Sequence, residues 1–315
     1  MIPTRSISGP RTMSDEFLKS YKTTYQWNHR PQHPRRPDWF RAWPNGARMA
    51  LQIDVLHEWE TVPWHRSRPM PATAHHKFDF MSLGAREYGA RHGIWRLLDV
   101  LDRHGVKATL MCNGLTAELF PDSVRAAADR GHEIASHQWD QALFPPMIKT
   151  REEERDLLVR TRESLERVSG QRVAGYLSPG PRPTPHTLGL LAELGYDWTA
   201  DYIDFDVPYF IDVDGRRIVS VGYATPGCID FDLTPYAMPA RLDTMKYIFD
   251  ATYAESKTHP MRFCYAVHTH WGGTTGMAQV MDDFLAYVKS RDPNIWYPRC
   301  GDMAAFWNAE GKRAG

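Results

Sequence analysis

Histidines and one carboxylate stand at the ends of apolar segments, where they could do acid–base chemistry. Asp54 closes the segment RMALQID. An unpaired carboxylate is costly to bury, so a structural and a catalytic role are both open for it. His268 and His270 end the segment RFCYAVHTH. Side chains alternate along a strand, so both histidines point to the same face. Such a pair favours a functional site over simple packing.

Further polar residues follow other apolar segments. His137 ends HEIASH, although a single histidine of this kind is often only a core residue. His57, Glu58 and Glu60 stand where a loop is expected, and a solvated charged loop is their ordinary interpretation. Ser178 in YLSPG lacks the glycine spacing of a nucleophile elbow, so a serine-hydrolase triad is not expected. One acidic residue and several histidines at different strand ends are typical of a hydrolytic site.

The elements that must position these residues alternate from Arg48 onward. Short apolar runs predict strands, and segments with helical spacing follow them. The predicted strands are RMALQID, KATLMCN, HEIASH, VAGYL, RRIVSVGY and RFCYAVH. The predicted helices are GIWRLLDVLDRHG, PDSVRAAADRG, EEERDLLVRTRESLERVSG, PHTLGLLAELG, MAQVMDDFLAYVKS and GDMAAFWNAE. Alternation of this kind predicts parallel pairing, hence an α/β barrel or a doubly wound sheet. Active sites in such folds lie at the carboxyl ends of the strands.

Residues 1–46 differ from the rest of the chain. They are rich in Pro, Arg, Trp and Tyr and show no sustained period, which predicts an extended arm before an α/β barrel domain over residues 47–315. Its large aromatic residues are too apolar for a free tail, so we expect them to bind the barrel or a neighbouring subunit. These residues are Trp27, Trp39, Phe40 and Trp43. A homo-oligomer, either a dimer or a tetramer, is therefore expected.

The composition limits the partners and the location. Lys plus Arg equals Asp plus Glu, at 38 each in 315 residues, which argues against a nucleic-acid or anionic-membrane partner. No apolar run reaches the ~18 residues of a membrane span, and the first residues lack the apolar core of a secretory signal. We therefore expect a cytoplasmic protein. The four cysteines form no CxxC pair and are expected to be reduced, buried thiols.

From about residue 43 to residue 308 the sequence resembles the polysaccharide deacetylase (NodB-homology) superfamily. ADRGHEIASH resembles the second family motif, VAGYLSPGPRPTPHTLGLLAELGYDW the third, and YAVHTH the last. Within the superfamily, REYGARHGIWRLLDVLDRHGVKATL and DFDVPYF are similar to the branch that holds allantoinases, cyclic imidases and an atypical peptidoglycan deacetylase. The resemblance implies a distorted (β/α) barrel that hydrolyses carbon–nitrogen bonds other than peptide bonds.

The resemblance assigns roles to three residues. Asp54 matches the general base, which takes a proton from the attacking water. His268 matches the histidine that protonates the leaving nitrogen or stabilises the tetrahedral intermediate. His137 matches the first of two metal-binding histidines. Because Asp54 and His268 each end a predicted strand, we expect them to face each other across the barrel mouth.

The metal ligands of the family are incomplete in this sequence. The metal carboxylate falls at Val55 or Leu56, and the second histidine falls at Gln141. The arginine of the third motif falls at Leu177. A catalytic zinc usually keeps three protein ligands, and here two of the family's three are missing.

Two interpretations follow from the missing ligands. We favour catalysis without a cofactor, with Asp54 as base, His268 as acid and backbone donors for the oxyanion. The other interpretation is a divalent metal, such as zinc, at a rebuilt site. That site would hold His137 together with one or more of Asp54, His57, Glu58 and His270.

The expected activity is hydrolysis of a small cyclic amide, imide or ureide. We expect the substrate to contact Glu58, Pro179, Arg182, His270 and Trp271. One alternative is a metal-dependent N-deacetylase of a sugar or a small acetamide. The other is a barrel that binds a ligand without catalysis. Retention of both Asp54 and His268 argues against the last alternative, because binding alone needs neither a base nor an acid.

Overall fold

The computed structural model describes residues 35–61, 80–233 and 235–314. Within these residues nine strands form one sheet. The strands are β1 (Met49–His57), β2 (Thr109–Cys112), β3 (Glu133–Ser136), β4 (Gly175–Tyr176), β5 (Trp198–Thr199), β6 (Tyr209–Val213), β7 (Arg216–Ser220), β8 (Met261–His268) and β9 (Ile295–Trp296). Their order is β6-β7-β5-β4-β3-β2-β1-β8, and β9 pairs with the start of β1. The β6–β7 pair is antiparallel and the other pairs are parallel.

Helices connect most of the strands. They are α1 (Phe80–Tyr88), α2 (Ile94–Arg103), α3 (Gly114–Leu119), α4 (Pro121–Asp129), α5 (Arg151–Ser169), α6 (Thr187–Leu194), α7 (Met238–Glu255), α8 (Thr275–Arg291) and α9 (Cys300–Ala314). A π-helical turn over Gly89–Gly93 joins α1 to α2. The sheet curls into part of a barrel, so the predicted distorted (β/α) barrel is confirmed.

The two faces of β1 serve different layers of the barrel. Leu51 and Ile53 belong to the apolar core between the sheet and the helices. Leu56 belongs to a second apolar core, on the inner face of the sheet. Because side chains alternate along a strand, Asp54, Leu56 and Glu58 follow one another along the inner face. Their positions along this face decide which of them reaches the site.

The first strand is longer than the sequence predicts. The prediction ended it at Asp54, whereas β1 runs to His57, and Leu56 still pairs with His268 of β8. Pairing with a strand on each side satisfies the backbone groups beyond Asp54. His57 and Glu58 are therefore buried, which corrects the expectation of a solvated loop.

The ends of the elements follow local signals. The side-chain oxygen of Thr150 accepts a hydrogen bond from the backbone of Glu153 and caps the start of α5. That helix ends, as predicted, at Gly170, which has φ 68°. The sequence analysis did not predict α7 or β6. Asp214 and Gly215 form the turn between β6 and β7, with φ 48° and 81°, and an Asp-Gly pair is a strong hairpin signal.

The aromatic residues that end the predicted arm pack on the barrel. Rings of Trp39 and Phe40 lie 4.8 and 4.7 Å from the ring of Trp307 in α9. Trp43 is fully buried, and its indole N–H donates to a carbonyl oxygen at the start of β8 at 2.8 Å. These three residues thus bind their own barrel, one of the two expected places. Trp27 lies outside the described residues, and the domain boundary stays a prediction.

Two further expectations concern the whole chain. The four cysteines are free and buried, as expected. Among the helices of the described residues, none is both long enough and apolar enough to cross a membrane. The cytoplasmic location stays a prediction.

Candidate active site

A cavity of about 710 Å³ opens at the carboxyl ends of the parallel strands. This volume is within the ~300–1,000 Å³ that small-molecule sites usually occupy. The polar side chains of its wall are Glu58, Glu60, Arg86, His137, Gln141, Arg182, His268 and His270. The apolar side chains include Leu56, Phe144, Leu177, Ile203, Tyr223, Phe231 and Trp271. The cavity therefore combines an acid–base cluster with an apolar and aromatic wall.

Glu58 lies at the centre of the polar cluster. Its Oε1 is 3.3 Å from Nε2 of His137 and 3.6 Å from Nε2 of His268. Its Oε2 accepts a hydrogen bond from Nη1 of Arg86 at 2.7 Å. Burial alone would raise the pKa of Glu58, but His268, His137 and Arg86 outweigh it and hold that pKa well below its usual range. The carboxylate is thus ionised at neutral pH and can accept a proton.

His268 is held by a second buried carboxylate. Its Nδ1 donates to Oδ1 of Asp230 at 2.7 Å, and its backbone N–H donates to Oδ2 at 2.7 Å. Burial lowers the pKa of His268, but the negative charges of Asp230 and Glu58 outweigh burial and raise it overall. Nδ1 already carries a proton toward Asp230, so the raised pKa keeps the second proton on Nε2, the nitrogen nearest to Glu58. His268 is therefore positioned to act as an acid from Nε2.

His137 presents the same ring nitrogen to the cluster. Its Nδ1 lies 2.7 Å from the carbonyl oxygen of Leu177 and must donate to it, because a carbonyl only accepts. This contact fixes the ring orientation and turns Nε2 toward Glu58. His137 can therefore hold a water molecule or a substrate group beside that carboxylate.

Arg86 of α1 brings positive charge to the acidic side of the cavity. Its Nη1 contacts Glu58 and lies 2.9 Å from Nε2 of His270, while its Nη2 pairs with Glu60. Burial and the charge of Arg86 lower the pKa of His270 well below its usual value. His270 is therefore neutral and accepts a hydrogen bond from the guanidinium group.

Close packing fixes Arg86 relative to the loop that follows β8. A Cβ atom added at Gly93 would lie 2.0 Å from the carbonyl oxygen of Thr269. One added at Gly89 would lie 2.8 Å from the backbone nitrogen of His270. The π-helical turn and this loop thus meet backbone to backbone, which only glycine allows.

Asp54 lies below the cavity, not at its mouth. It pairs with Ala266 in the register of β1 and β8, whereas His268 pairs with Leu56. Leu56 takes the next inward position and lines the cavity, and Asp54 does not. The expectation that Asp54 faces His268 across the barrel mouth is wrong, because β1 continues beyond Asp54.

The carboxylate of Asp54 has its own set of partners inside the barrel. Nε2 of Gln52 donates to both of its oxygens, at 2.9 and 2.8 Å. The thiols of Cys264 and Cys300 contact it at 3.3 and 3.4 Å. Burial raises the pKa of Asp54, although these contacts and the charge of Arg262 oppose the shift. Asp54 thus fits the structural role that the sequence left open.

The residues predicted to contact substrate are mostly found on the cavity wall. Glu58, Arg182, His270 and Trp271 line it. Pro179 does not, although its neighbours in the same loop do. The contact with substrate stays a proposal for all of these residues.

Two of the residues suggested as partners of His137 in a rebuilt metal site, His57 and Asp54, do not lie beside it. His57 points to the outer side of the sheet, where its Nε2 lies 2.7 Å from the hydroxyl of Ser123. Asp54 lies below the cavity, bonded to other groups. The combination of His137 with His57 or Asp54 is therefore wrong, because these side chains do not converge.

The donor set of the cavity does not fit a metal ion either. The part of the chain that the structure describes has no group of three or more His, Cys, Asp or Glu side chains able to hold one. Glu58 is the carboxylate nearest to His137, and it is shared with Arg86. The charge of that guanidinium group opposes a second cation at the same carboxylate.

Two members of the polar cluster around Glu58 were not predicted from the sequence. Arg86 lies in the segment REYGARHG, which was used for the family resemblance but not for the site. Asp230 stands between Ile229 and Phe231 in CIDFD, and this alternation is a short strand-like signal. Ile229 does form a bridge with Ala266 of β8, which brings Asp230 beside His268.

Residues 78–199 match the family model for polysaccharide deacetylase. A peptidoglycan deacetylase of Helicobacter pylori is 29% identical over 123 residues, which are 38% of this chain and 41% of that protein. The chain thus spans about two fifths of the length of that curated relative.

Two solved structures share the fold over nearly the whole chain. A probable polysaccharide deacetylase from Pseudomonas aeruginosa PAO1 is 25% identical, with a TM-score of 0.76, and the match covers 89% of this chain and 96% of that one. The PuuE allantoinase is 24% identical, with a TM-score of 0.77, over 88% of this chain and 95% of that one. The resemblance read from the sequence is confirmed.

Proposed function

We propose that the chain belongs to the polysaccharide deacetylase superfamily, whose family model matches residues 78–199, and that it hydrolyses carbon–nitrogen bonds of a small cyclic amide, imide or ureide. One observation carries this proposal. Oε1 of Glu58 and Nε2 of His268 lie 3.6 Å apart beside a cavity, and the pKa of Glu58 is lowered while that of His268 is raised. A base and an acid in such proximity can serve the two proton transfers that amide hydrolysis requires.

In this proposal Glu58 replaces Asp54 as the general base. A water molecule beside Oε1 gives a proton to the carboxylate while its oxygen forms a bond to the substrate carbonyl carbon. The electron pair of the C=O double bond moves to the carbonyl oxygen. Arg86 supplies the nearest fixed positive charge for that oxygen, and preorganised charge of this kind is a large part of enzymatic rate enhancement.

His268 completes the reaction as the general acid. Nε2 gives its proton to the leaving nitrogen as the C–N bond breaks, because an amide anion is a very poor leaving group. The electron pair on the oxygen re-forms the carbonyl, and Asp230 keeps the ring oriented through Nδ1. The proton that Glu58 received then passes to Nε2 of His268, which returns both residues to their starting protonation states.

The volume and the aromatic lining of the cavity support a small ring as substrate. Its volume of about 710 Å³ suits a single ring with its substituents. Tyr223, Phe231 and Trp271 offer flat apolar surfaces for such a ring. The alternative of N-deacetylation of a sugar or a small acetamide draws on the peptidoglycan deacetylase among the relatives. A barrel that only binds its ligand is the third candidate.

We also propose that the reaction needs no divalent metal, because the donor set does not fit one. Dialysis against a strong chelator should leave turnover unchanged, and added zinc should not raise it. Loss of turnover after chelation, with recovery on addition of zinc, would establish the metal-dependent alternative.

The activity itself is tested with a substrate panel. Purified protein is assayed against allantoin, hydantoin, succinimide and N-acetylglucosamine, and the His268→Ala variant serves as the comparison. We expect turnover of at least one ring substrate, and its loss in His268→Ala with affinity for a substrate analogue kept within about tenfold. Turnover of the acetylated sugar alone would favour the deacetylase. Tight ring binding without any turnover would favour the binding barrel.

A further inference from the structure

Arg182 holds a positive charge at the cavity wall in a fixed position. Its Nη1 donates to the carbonyl oxygen of Gly180 at 2.9 Å, and its guanidinium carbon lies 5.4 Å from the ring centre of Phe144. Its backbone N–H donates to the hydroxyl of Ser178 at 2.7 Å. That hydroxyl in turn donates to the buried Asp201 at 2.7 Å. The loop that carries Arg182 is therefore anchored to the core.

The glycine in this loop makes room for the guanidinium group. Gly180 has φ 64°, and a Cβ atom added there would lie 2.1 Å from Nη1 of Arg182. Any larger residue would push the guanidinium group away from its place over Phe144. The conformation of Gly180 and the position of Arg182 are thus coupled.

The other charged side chains Arg86, Glu58, Glu60 and His268 of the cavity form ion pairs, and Arg182 does not within the described residues. Arg86 pairs with Glu58 and Glu60, and His268 pairs with Asp230. Within the described residues, no carboxylate forms an ion pair with Arg182. Its contacts there are a carbonyl oxygen and an aromatic face, which leave several N–H donors of the guanidinium group without a partner.

We propose that Arg182 binds a carboxylate group carried by the substrate. The planar guanidinium fork matches a carboxylate in shape and charge, and stacking on an aromatic ring leaves its N–H edge open. The proposal rests on the proposed function and narrows it. The substrate class becomes a cyclic amide, imide or ureide with a carboxylate substituent. A neutral acetylated sugar would leave the charge of Arg182 without a counter-charge.

The test compares a charged ring with a neutral ring. kcat and KM are measured for hydantoin-5-acetate and for hydantoin, with wild-type protein and with Arg182→Gln. We expect the preference for the charged ring, taken as the ratio of the two kcat/KM values, to fall at least about tenfold in Arg182→Gln, mainly through KM. An unchanged ratio would overturn the inference while the proposed function stands.

Arg217→Gln is the matched control. Arg217 is also exposed and also lies over an aromatic ring, at 5.1 Å from the centre of Phe210, but it is on β7 and outside the cavity wall. Its variant should keep the wild-type ratio. An equal fall in both variants would mean that general surface charge is responsible, which would also overturn the inference.

A binding measurement tests the role of Arg182 even if the proposed hydrolytic activity is not found. If wild-type protein hydrolyses neither ring, the proposed function fails, and calorimetric titration with hydantoin-5-acetate decides the role of Arg182. The inference requires that wild-type protein bind this compound at least about tenfold more tightly than Arg182→Gln does. Equal affinities, or no binding to either protein, would contradict it.

Discussion

Two carboxylates on the inner face of β1 differ in their surroundings, and this difference separates their roles. Burial raises the pKa of Asp54, which has hydrogen-bond donors but no close cation in contact. Glu58 is also buried, but His268 and Arg86 beside it lower its pKa well below the usual value. A carboxylate with a lowered pKa stays ionised far into the acid range. Glu58 is thus the one of these two carboxylates that is ionised at neutral pH and lines the cavity.

The pH dependence of kcat/KM follows from these two shifts. Activity requires ionised Glu58 and protonated His268, so it falls as the pH drops through the pKa of Glu58 and as it rises through that of His268. We expect the acid limb below the usual glutamate pKa of about 4.3 and the alkaline limb above the usual histidine pKa of about 6.5. A rate profile from pH 3 to pH 9 measures both limbs.

The position of the acid limb distinguishes the two carboxylates. A base with the raised pKa of Asp54 would lose activity at a higher pH than an ordinary aspartate does. An acid limb well above about 4.3 would therefore argue for Asp54 and against Glu58.

At the scale of elements, β1 shows how far the sequence could predict the site. Asp54 lies on the first strand, as predicted, but its depth in the barrel depends on where pairing with β2 and β8 ends. The predicted strand ended at Asp54, whereas the apolar residues Val55 and Leu56 follow it and the ladder continues to His57. The position of His268 could be predicted from the sequence, because its strand ends where the apolar run ends.

The contact between the π-helical turn and the loop after β8 leads to a second prediction. In Gly93→Ala the added methyl group would meet the carbonyl oxygen of Thr269, so the turn must move away. Overpacking of this kind costs about 1–3 kcal/mol. Movement of the turn also shifts Arg86 relative to His270. We expect a lower free energy of unfolding in a urea titration, together with a lower kcat.

Gly84→Ala provides the control within α1. Among the described residues, a Cβ atom added at Gly84 meets no atom within 4 Å. Alanine is favoured over glycine in a helix by up to about 1 kcal/mol, so this variant should be as stable as wild type or slightly more so, with unchanged activity. If Gly93→Ala behaved like Gly84→Ala, the close packing would not matter for the site.

At the scale of the whole molecule, the aromatic residues before β1 bind that segment to the barrel. Trp43 is fully buried against the rings of Trp296 and Phe306, at 5.4 and 5.7 Å. Trp43→Ala should lower the free energy of unfolding by about 3–5 kcal/mol, measured by chemical denaturation. Tyr247, which is 78% exposed, is the control, and Tyr247→Ala should change stability by less than about 0.5 kcal/mol. Similar effects of the two changes would contradict this packing.

The oligomeric state remains a prediction. A dimer or tetramer was predicted because four large aromatic residues were expected to be buried, in part at a subunit interface. Three of them, Trp39, Phe40 and Trp43, pack against the barrel of their own chain. Light scattering of purified protein measures the mass directly. A monomer would show that the aromatic residues serve only the barrel.

The role of Glu58 as the base of a carbon–nitrogen hydrolase is tested most directly by a comparison of two conservative variants. kcat is measured for Glu58→Gln and Asp54→Asn on the ring substrate that wild-type protein turns over, after circular dichroism has shown that both variants are folded. Glu58→Gln should lower kcat by at least about 10²-fold, whereas Asp54→Asn should keep most of the activity. Near-normal turnover in folded Glu58→Gln, with a large loss in Asp54→Asn, would contradict the account.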